Sequence, residues 1–139
     1  MPTLVFLDSN VLVYTDDESA PDKRAAATAL VKKHLENRTA VVSLQVLQEY
    51  FSVVTRKLGV PADLAEGKIR TLAQARVVGF EAKDILAAIE LHRLTQISFW
   101  DALIVHAARS AGAAVLYSED LQHDGSLGGV RIVNPFASA

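Results

Sequence analysis

Four carboxylates occupy positions where an acid hinders folding but is well suited to binding a metal ion. Asp8 and Asp120 each follow a short apolar run of the kind that forms a buried strand. Glu49 and Asp101 each interrupt an apolar helical pattern. A buried carboxylate must be paired, protonated or bound to a cation. Four that converge in one cleft would form a site for Mg²⁺ or Mn²⁺, which prefer oxygen ligands.

The chemistry of such a site is phosphodiester hydrolysis. A divalent cation lowers the pKa of the water that it binds and stabilises charge on phosphate oxygens. A neighbouring carboxylate can accept the proton of the attacking water. The chain contains no Cys, and its four His show neither zinc-ligand spacing nor a Ser-His-Asp arrangement. The acids therefore indicate a metal-dependent nuclease rather than an enzyme with a covalent nucleophile.

The functional interpretation of Asp8 and of Asp120 is stronger because both acids follow predicted strands. In open parallel sheets, ligands bind beyond the carboxyl ends of the strands, and Asp8 and Asp120 both fall there. Taken singly, each is better explained as a turn residue or an N-cap. Asn10 and Ser118 stand beside them and either support a metal ligand or satisfy local backbone groups. Asp124, four residues after Asp120, is either a fifth acid of the site or a solvated loop residue.

Glu49 lies at the border of an apolar helix face. At 100° per residue it is about 40° beyond Val53, the nearest member of that face. The other members of the face are Val46, Leu47, Tyr50, Val54 and Leu58. The alternative is a Glu that reaches solvent and pairs with Arg56 or Lys57.

Asp101 is the acid that is hardest to explain without a ligand. On a helix that begins near residue 99, it aligns with Ile104, Val105 and Ala108, the stripe that should face the core. The alternative is a capping box in which Ser98 is the N-cap and the acid is the N3 residue. Both roles are compatible, since an acid at a helix N-terminus can also point into a cleft.

The elements that must position these acids alternate between strand and helix. Apolar runs predict strands at residues 3–7, 40–42, 76–80, 114–117 and 130–133. Helices are predicted at 22–37, 43–58, 62–76, 81–96 and 98–112, and residues 121–129 form a polar loop. Asp22, Ser43 and Ser98 are the expected N-caps, whereas Gly59 and Gly112 are the expected stops. This alternation predicts an α/β fold with a parallel sheet that helices cover on both faces.

Composition limits the class of protein. A chain of 139 residues with 50% hydrophobic and 22% charged residues is expected to be one globular domain, residues 1–139. No apolar run approaches the roughly 20 residues that span a bilayer, and the N-terminus lacks a secretory signal. We therefore expect a cytoplasmic protein that is not bound to a membrane. The net charge of −2 gives no overall basic field, but Lys and Arg cluster at residues 23–38 and 56–76.

The ordered set of motifs resembles the PIN-domain family. The motifs are LDSNVL at residues 7–12, VS at 42–43 with Glu49 six residues later, SFWDALI at 98–104 and LYSEDL at 116–121. Each motif alone is weak, but together they span the chain with the acids in the family's order. A short PIN domain with nothing attached is most similar to the VapC toxins of toxin–antitoxin pairs.

The resemblance implies a three-layer α/β/α sandwich and a Mg²⁺- or Mn²⁺-dependent endoribonuclease that acts on RNA. It assigns metal binding and catalysis to Asp8, Glu49, Asp101 and Asp120, gives Asn10 and Ser118 supporting roles, and leaves Asp124 open. It also implies a homodimer and a cognate antitoxin. We expect the antitoxin to insert an Arg or Lys among the acids, because a guanidinium bonds carboxylates well. Its apolar residues should pack on the helices at 44–58 and 62–76.

Other functions fit the residues less well. A haloacid-dehalogenase-type phosphatase needs a second Asp two residues after the first, where this chain has Asn10. A response-regulator receiver needs an early acidic pair and a late Lys, and neither is present. The remaining alternative is a PIN fold that binds RNA or protein without turnover.

Overall fold

The computed structural model describes residues 2–121 and 125–137. Within those ranges the chain forms helices and strands that alternate along the sequence. In order they are β1 (Val5–Leu7), α1 (Ser9–Tyr14), α2 (Pro21–Glu36), β2 (Ala40–Ser43), α3 (Leu44–Arg56), α4 (Ala62–Leu72), β3 (Arg76–Val78), α5 (Ala82–Thr95), α6 (Phe99–Ser110), β4 (Val115–Tyr117), β5 (Ser126–Leu127) and β6 (Val130–Val133).

The strands form one sheet in the order β3-β2-β1-β4-β6-β5. All neighbouring pairs are parallel except β5 and β6, which pair antiparallel at the edge. Strand β1 is internal, and Val5 lies in register with both Ala40 of β2 and Val115 of β4. The carboxyl ends of β1, β2 and β4 therefore meet at the same edge of the sheet.

Helices complete the three-layer α/β/α sandwich that the sequence predicted. Helix α6 packs on β2, β4 and β6 and is backed by α5, whereas α1 contacts both α2 and α3, and α3 contacts α4. Strands β1 and β2 are buried along their length, and Phe6, Val41 and Leu116 are fully buried. Continuous apolar strands are expected where helices cover both faces of a sheet. Among the described residues, no helix combines the length and the apolarity needed to cross a bilayer.

Several helix ends follow the signals in the sequence. The Ser43 hydroxyl accepts a hydrogen bond from the Val46 N–H at 3.2 Å, which confirms this N-cap of α3. Gly112 follows α6 with a positive φ of 75°, a conformation in which Gly is favoured. The prediction that Asp22 is the N-cap of α2 is wrong. The helix begins at Pro21, whose φ suits the first helical position, and Ala20 is the N-cap.

Three other boundaries differ from the prediction. Helix α1 was not predicted, because its six residues follow β1 directly and are too few to show a period. Strand β5 lies in the segment 121–129 that was predicted to be a loop, and it exists through its pairing with β6. Helix α4 ends at Leu72, four residues before its predicted end, and the chain turns before β3 begins.

Candidate active site

Asp8 lies at the junction of β1 and α1 and is 6% exposed. Its Oδ1 accepts a hydrogen bond from the Ser9 N–H at 2.7 Å, so it is the N-cap of α1. Its Oδ2 accepts a bond from the Ser118 hydroxyl at 2.8 Å. The capping role and a place at the carboxyl edge of the sheet thus coexist in one side chain.

Asn10 ties the first turn of α1 to the loop that follows β4. Its amide nitrogen donates to Ser118 Oγ and to Asp120 Oδ2, each at 3.2 Å. Its amide oxygen accepts from the Glu119 N–H at 3.0 Å. Ser118 is fully buried and its hydroxyl also accepts from the Asp120 N–H at 3.2 Å. Together the amide and the hydroxyl hold Asp8 and Asp120 next to each other.

Glu49 and Asp101 lie near Asp8 and Asp120, because the charges of these acids affect one another's pKa values. Burial is the main cause that raises the pKa of Asp8 to about 6, and the charges of Asp120 and Asp101 add to the rise. Burial also raises the pKa of Glu49 to about 7, with further contributions from the other three acids. The four carboxylates are therefore close enough to repel one another, as expected for acids around one cleft.

The alternative roles of Glu49 and Asp101 find little support in the geometry. The Ser98 hydroxyl accepts from the Asp101 N–H at 3.1 Å, so half of the capping box is present. In the part of the chain that the structure describes, the Asp101 carboxylate makes no return bond to Ser98. Within the same ranges Glu49 forms no ion pair with Arg56 or Lys57. Both carboxylates are half-buried and remain available to a ligand.

The oxygen ligands at this site are of the kind that a hard divalent cation prefers, but the side chains are spaced more widely than in a formed metal site. Among residues 2–121 and 125–137, no group of three or more His, Cys, Asp or Glu is spaced to hold a metal ion. The nearby donors are all carboxylate, amide or hydroxyl oxygens, which Mg²⁺ prefers. Mg²⁺ commonly binds through one or two carboxylates and keeps several waters, so a loosely spaced set of acids is compatible with it.

A cleft of about 640 Å³ opens beside these acids. Asn10, Glu49 and Asp120 belong to its wall, whereas Asp8 and Asp101 do not. The remaining wall residues are Ser9, Val13, Tyr14, Asp17, Gln48, Ser52, Val53, Lys57, Leu58 and Glu119. The cleft is large enough to receive a nucleotide-sized group next to the acids.

Glu119 has a structural role that the sequence did not reveal. Its carboxylate accepts from the Tyr14 hydroxyl at 2.7 Å and from Lys23 Nζ at 2.5 Å. Burial alone would raise the pKa of Glu119, but these bonds outweigh burial and lower it. The pairing joins residues far apart in the chain, so no local pattern could have shown it. Asp124, the possible fifth acid, lies outside the described residues.

The PIN domain family model matches residues 5–124, and the chain belongs to this family. This match confirms the resemblance drawn from the four motifs. No curated protein matches the sequence. Solved structures with a similar fold include toxin–antitoxin complexes and a VapC toxin.

Three such structures illustrate the similarity. A toxin–antitoxin complex from Klebsiella pneumoniae is 16% identical, with a TM-score of 0.67, and the match covers 95% of this chain and 98% of the other. VapBC2 from Rickettsia felis, bound to a promoter DNA fragment, is 20% identical with a TM-score of 0.69 and the same coverage. VapC20 from Mycobacterium tuberculosis, a toxin that cleaves the sarcin-ricin loop, is 22% identical with a TM-score of 0.66, covering 91% and 98%.

Proposed function

We propose that this protein is a Mg²⁺- or Mn²⁺-dependent endoribonuclease of the toxin–antitoxin type that acts in the cytoplasm. The observation that carries the proposal is the coupled set of acids Asp8, Glu49, Asp101 and Asp120 at the carboxyl edge of the sheet. Carboxylates that repel one another in a cleft are stabilised by a divalent cation. The cation, when bound, would activate water and neutralise charge on the phosphate oxygens.

The chain's own residues supply positioning and proton transfer. Ser118 and the Ser9 N–H fix both oxygens of Asp8, and Asn10 orients Asp120. Glu49 lines the cleft, where its carboxylate is placed to accept a proton from water. Lys57 is the Lys that lines the cleft wall and is suited to holding a neighbouring phosphate.

RNA is the proposed substrate class because a structural neighbour is described as a toxin that cleaves the sarcin-ricin loop. The test is a cleavage assay on structured and single-stranded RNA, in Mg²⁺, in Mn²⁺ and in excess EDTA. We expect internal cleavage with either metal and none in EDTA. Single-stranded DNA and p-nitrophenyl phosphate serve as controls. RNA binding without cleavage in every metal would support the module without turnover, and release of p-nitrophenol would support a phosphatase.

We propose that a cognate antitoxin blocks this cleft. Two of the structural neighbours are toxin–antitoxin complexes. An apolar groove of about 570 Å³ between α3 and α4 is lined by Leu44, Leu47, Phe51 and Ile69. Gln48 lines both the groove and the cleft, so the two are adjacent. A segment whose apolar side chains fill the groove can therefore place an Arg or Lys among the acids.

The test of this inhibitor uses the antitoxin encoded beside the gene. Antitoxin with Ala at its basic C-terminal positions should bind less tightly and inhibit RNA cleavage poorly. The corresponding change in this protein is Phe51→Ser in the groove. It should weaken binding of the antitoxin without changing the rate of RNA cleavage. Tight inhibition by a fragment with no basic residue near the cleft would rule out the inserted cation and leave steric occlusion.

We propose that exposed apolar side chains on α5 and at the start of α6 contribute to a homodimer interface. Leu86, Leu94 and Trp100 are 66%, 75% and 64% exposed, and Ile89 is 39% exposed. Light scattering after gel filtration should give a dimer mass, and Leu86→Lys with Ile89→Lys should give a monomer. A wild-type monomer at all concentrations would contradict the dimer.

A further inference from the structure

A second polar cavity, of about 360 Å³, lies at the edge of the sheet opposite the acids. Its wall comes from the end of α2, the start of β2 and the start of β3. The wall residues are His34, Leu35, Arg38, Ala40, Gln74, Ala75 and Arg76. Since β2 and β3 are parallel, their amino ends meet here, whereas their carboxyl ends point towards the acidic cleft. The four residues of β2, roughly 13 Å of strand, run from one edge to the other.

The cavity is cationic and its charges are not neutralised. Two guanidiniums, those of Arg38 and Arg76, line it, and no Asp or Glu does. Among the described residues, neither guanidinium forms an ion pair or a side-chain hydrogen bond. The C-termini of α2 and α4 lie close by, and each contributes roughly half a negative charge. Two full positive charges exceed that sum, so the cavity favours an anion.

The backbone conformation of Arg38 is unusual for a residue with a long side chain. Arg38 follows the C-cap of α2 with a φ of 57°, a left-handed conformation that helices commonly use to end. Gly is favoured there because a Cβ is disfavoured at positive φ. The chain instead places a long cationic side chain at this position, directly on the cavity wall.

His34 provides a hydrogen-bonding group without a partner. The residue is 8% exposed, and its Nδ1 lies 2.7 Å from the Thr39 hydroxyl oxygen. In the described ranges its Nε2 is the buried side-chain atom that has no hydrogen-bond partner. Buried polar atoms are rarely left unpaired, and such an atom points to a ligand or an ordered water. Burial, with help from the charge of Lys33, lowers the pKa of His34, so the ring is neutral at pH 7.

We propose that this cavity binds a phosphate group. The guanidiniums of Arg38 and Arg76 match the geometry of phosphate oxygens, which they can bond bidentately. Gln74 and His34 provide neutral hydrogen-bonding groups beside them. The phosphate comes either from an RNA strand that extends beyond the acidic cleft or from a free nucleotide. The RNA source rests on the proposed nuclease function, whereas the free nucleotide does not.

The variants are chosen so that the fold survives. Arg38→Gly removes the guanidinium and suits the left-handed backbone, and Arg76→Gln keeps a polar side chain at an exposed position. Arg93→Gln is the control, because Arg93 is also exposed and lies on α5 away from the cavity. Thermal unfolding of each variant checks that the protein is folded before any binding is measured.

The first arm titrates metal-free protein with inorganic phosphate and with a nucleoside monophosphate. Binding is followed by calorimetry and by the ring ¹⁵N signals of His34, which report a ligand in this cavity. We expect the His34 signals to shift on titration, and binding to weaken at least tenfold in the Arg38→Gly/Arg76→Gln variant. The Arg93→Gln protein should match wild type.

The second arm measures the binding of a long single-stranded RNA in EDTA at several salt concentrations. Loss of two phosphate contacts should reduce the slope of log K against log salt by about 1.4. Unchanged RNA binding together with weakened phosphate binding identifies a free phosphate compound as the ligand. Wild-type behaviour of the double variant in both arms overturns the proposal. Failure of wild-type protein to cleave RNA would refute the nuclease function alone, since neither arm depends on cleavage.

Discussion

Asp8 shows how one residue can end a strand, start a helix and carry charge for a site. Its two oxygens accept from different donors, the Ser9 N–H and the Ser118 hydroxyl, so the carboxylate cannot rotate without losing one of them. Those bonds lower its pKa, but burial outweighs them. The result is a fixed carboxylate that is costly to keep charged and is therefore well matched to a cation.

Asp101 offers the sharpest single-residue test. Asp101→Asn keeps the shape of the side chain but removes the charge that a hard cation requires. Loss of a group that only supports a metal ligand costs 10–100-fold, so we expect RNA cleavage in Mg²⁺ to fall by more than about a hundredfold. Asp63→Asn, in the first turn of α4, is the matched control and should cleave at the wild-type rate. Cleavage by Asp101→Asn at the wild-type rate would refute the site assignment.

The same variant distinguishes a metal ligand from a capping residue. The Ser98 hydroxyl already caps α6, and the Asp101 carboxylate returns no bond within the described ranges. We therefore expect the melting temperature of the metal-free Asp101→Asn protein to equal or exceed that of wild type, because repulsion among the acids is relieved. A clearly lower melting temperature in EDTA would support the capping box.

The raised pKa values predict a pH dependence of metal-free stability. Folding raises the pKa of Asp8 from 3.8 to about 6 and that of Glu49 from 4.5 to about 7, so the folded state binds more protons between these limits. These two acids therefore make unfolding easier as the pH rises from about 4 to about 7. His34, whose pKa is lowered, acts in the opposite sense below about 6.5.

A comparison of variants isolates the contribution of the acids. Denaturant unfolding in EDTA at pH 5.5 and pH 8 should show that Asp8→Asn/Glu49→Gln stabilises the protein more at pH 8 than at pH 5.5. Both proteins contain His34, so its effect cancels in the difference. A larger stabilisation at pH 5.5 would contradict the assigned shifts.

At the scale of elements, a side-chain clip joins α1 to the loop after β4. Asn10 bonds three partners across that gap, and two of them are the Ser118 hydroxyl and the Glu119 N–H. Asn10→Ala leaves the Glu119 N–H without its acceptor, whereas the Ser118 hydroxyl loses one bond and keeps those to Asp8 and the Asp120 N–H. We therefore expect the free energy of unfolding to fall by about 1–3 kcal/mol. Hydrogen exchange at the amides of residues 118–120 should also become faster.

The control for this prediction is Asn37→Ala, at the exposed C-cap of α2. Its side chain has no hydrogen bond in the described residues, so stability should change by less than about 0.5 kcal/mol. Equal effects of the two substitutions would mean that the clip contributes nothing to the fold.

The elements differ in how well their sequences reveal them. Ser43 and Ser98 were identifiable as N-caps because capping uses residues within three positions of each other. Helix α1 and strand β5 were missed because one has six residues and the other two. Strand β5 depends on its antiparallel partner β6, which a local pattern does not contain.

The candidate site was predictable in its members but not in its bonds. The acids stand out because each breaks an apolar pattern that is visible in the sequence. The contacts of Asn10 with Asp120 and of Glu119 with Lys23 join positions about a hundred residues apart, and only the folded sheet brings them together. Which residues line the cleft beside Glu49 likewise depends on how α1 and α3 pack.

On the scale of the whole molecule, charge is separated along the strands. The four acids lie at the carboxyl edge of the sheet, and the cavity with Arg38 and Arg76 lies at the amino edge. The net charge of −2 hides this separation. A cation at one edge and a phosphate at the other would each reduce the repulsion at that edge.

Metal binding should therefore stabilise the entire fold. A ligand that binds only the native state adds about 2.7 kcal/mol at a hundredfold excess over Kd. We expect millimolar Mn²⁺ to raise the melting temperature of wild type and to have no such effect on Asp8→Ala/Asp101→Ala. Ca²⁺ should also stabilise wild type but support little cleavage, because it is larger and less strict in geometry than Mg²⁺. Equal Mn²⁺ shifts in both proteins would place the metal elsewhere.

The central position of β1 has a consequence for synthesis on the ribosome. Strand β1 pairs with β4, so Asp8 meets Ser118 and Asp120 only after more than a hundred further residues have been made. A nascent chain that stops before β4 contains Asp8, Glu49 and Asp101 but cannot assemble the cluster. The proposed nuclease would therefore stay inactive on the ribosome until β4 and the loop that follows it have emerged.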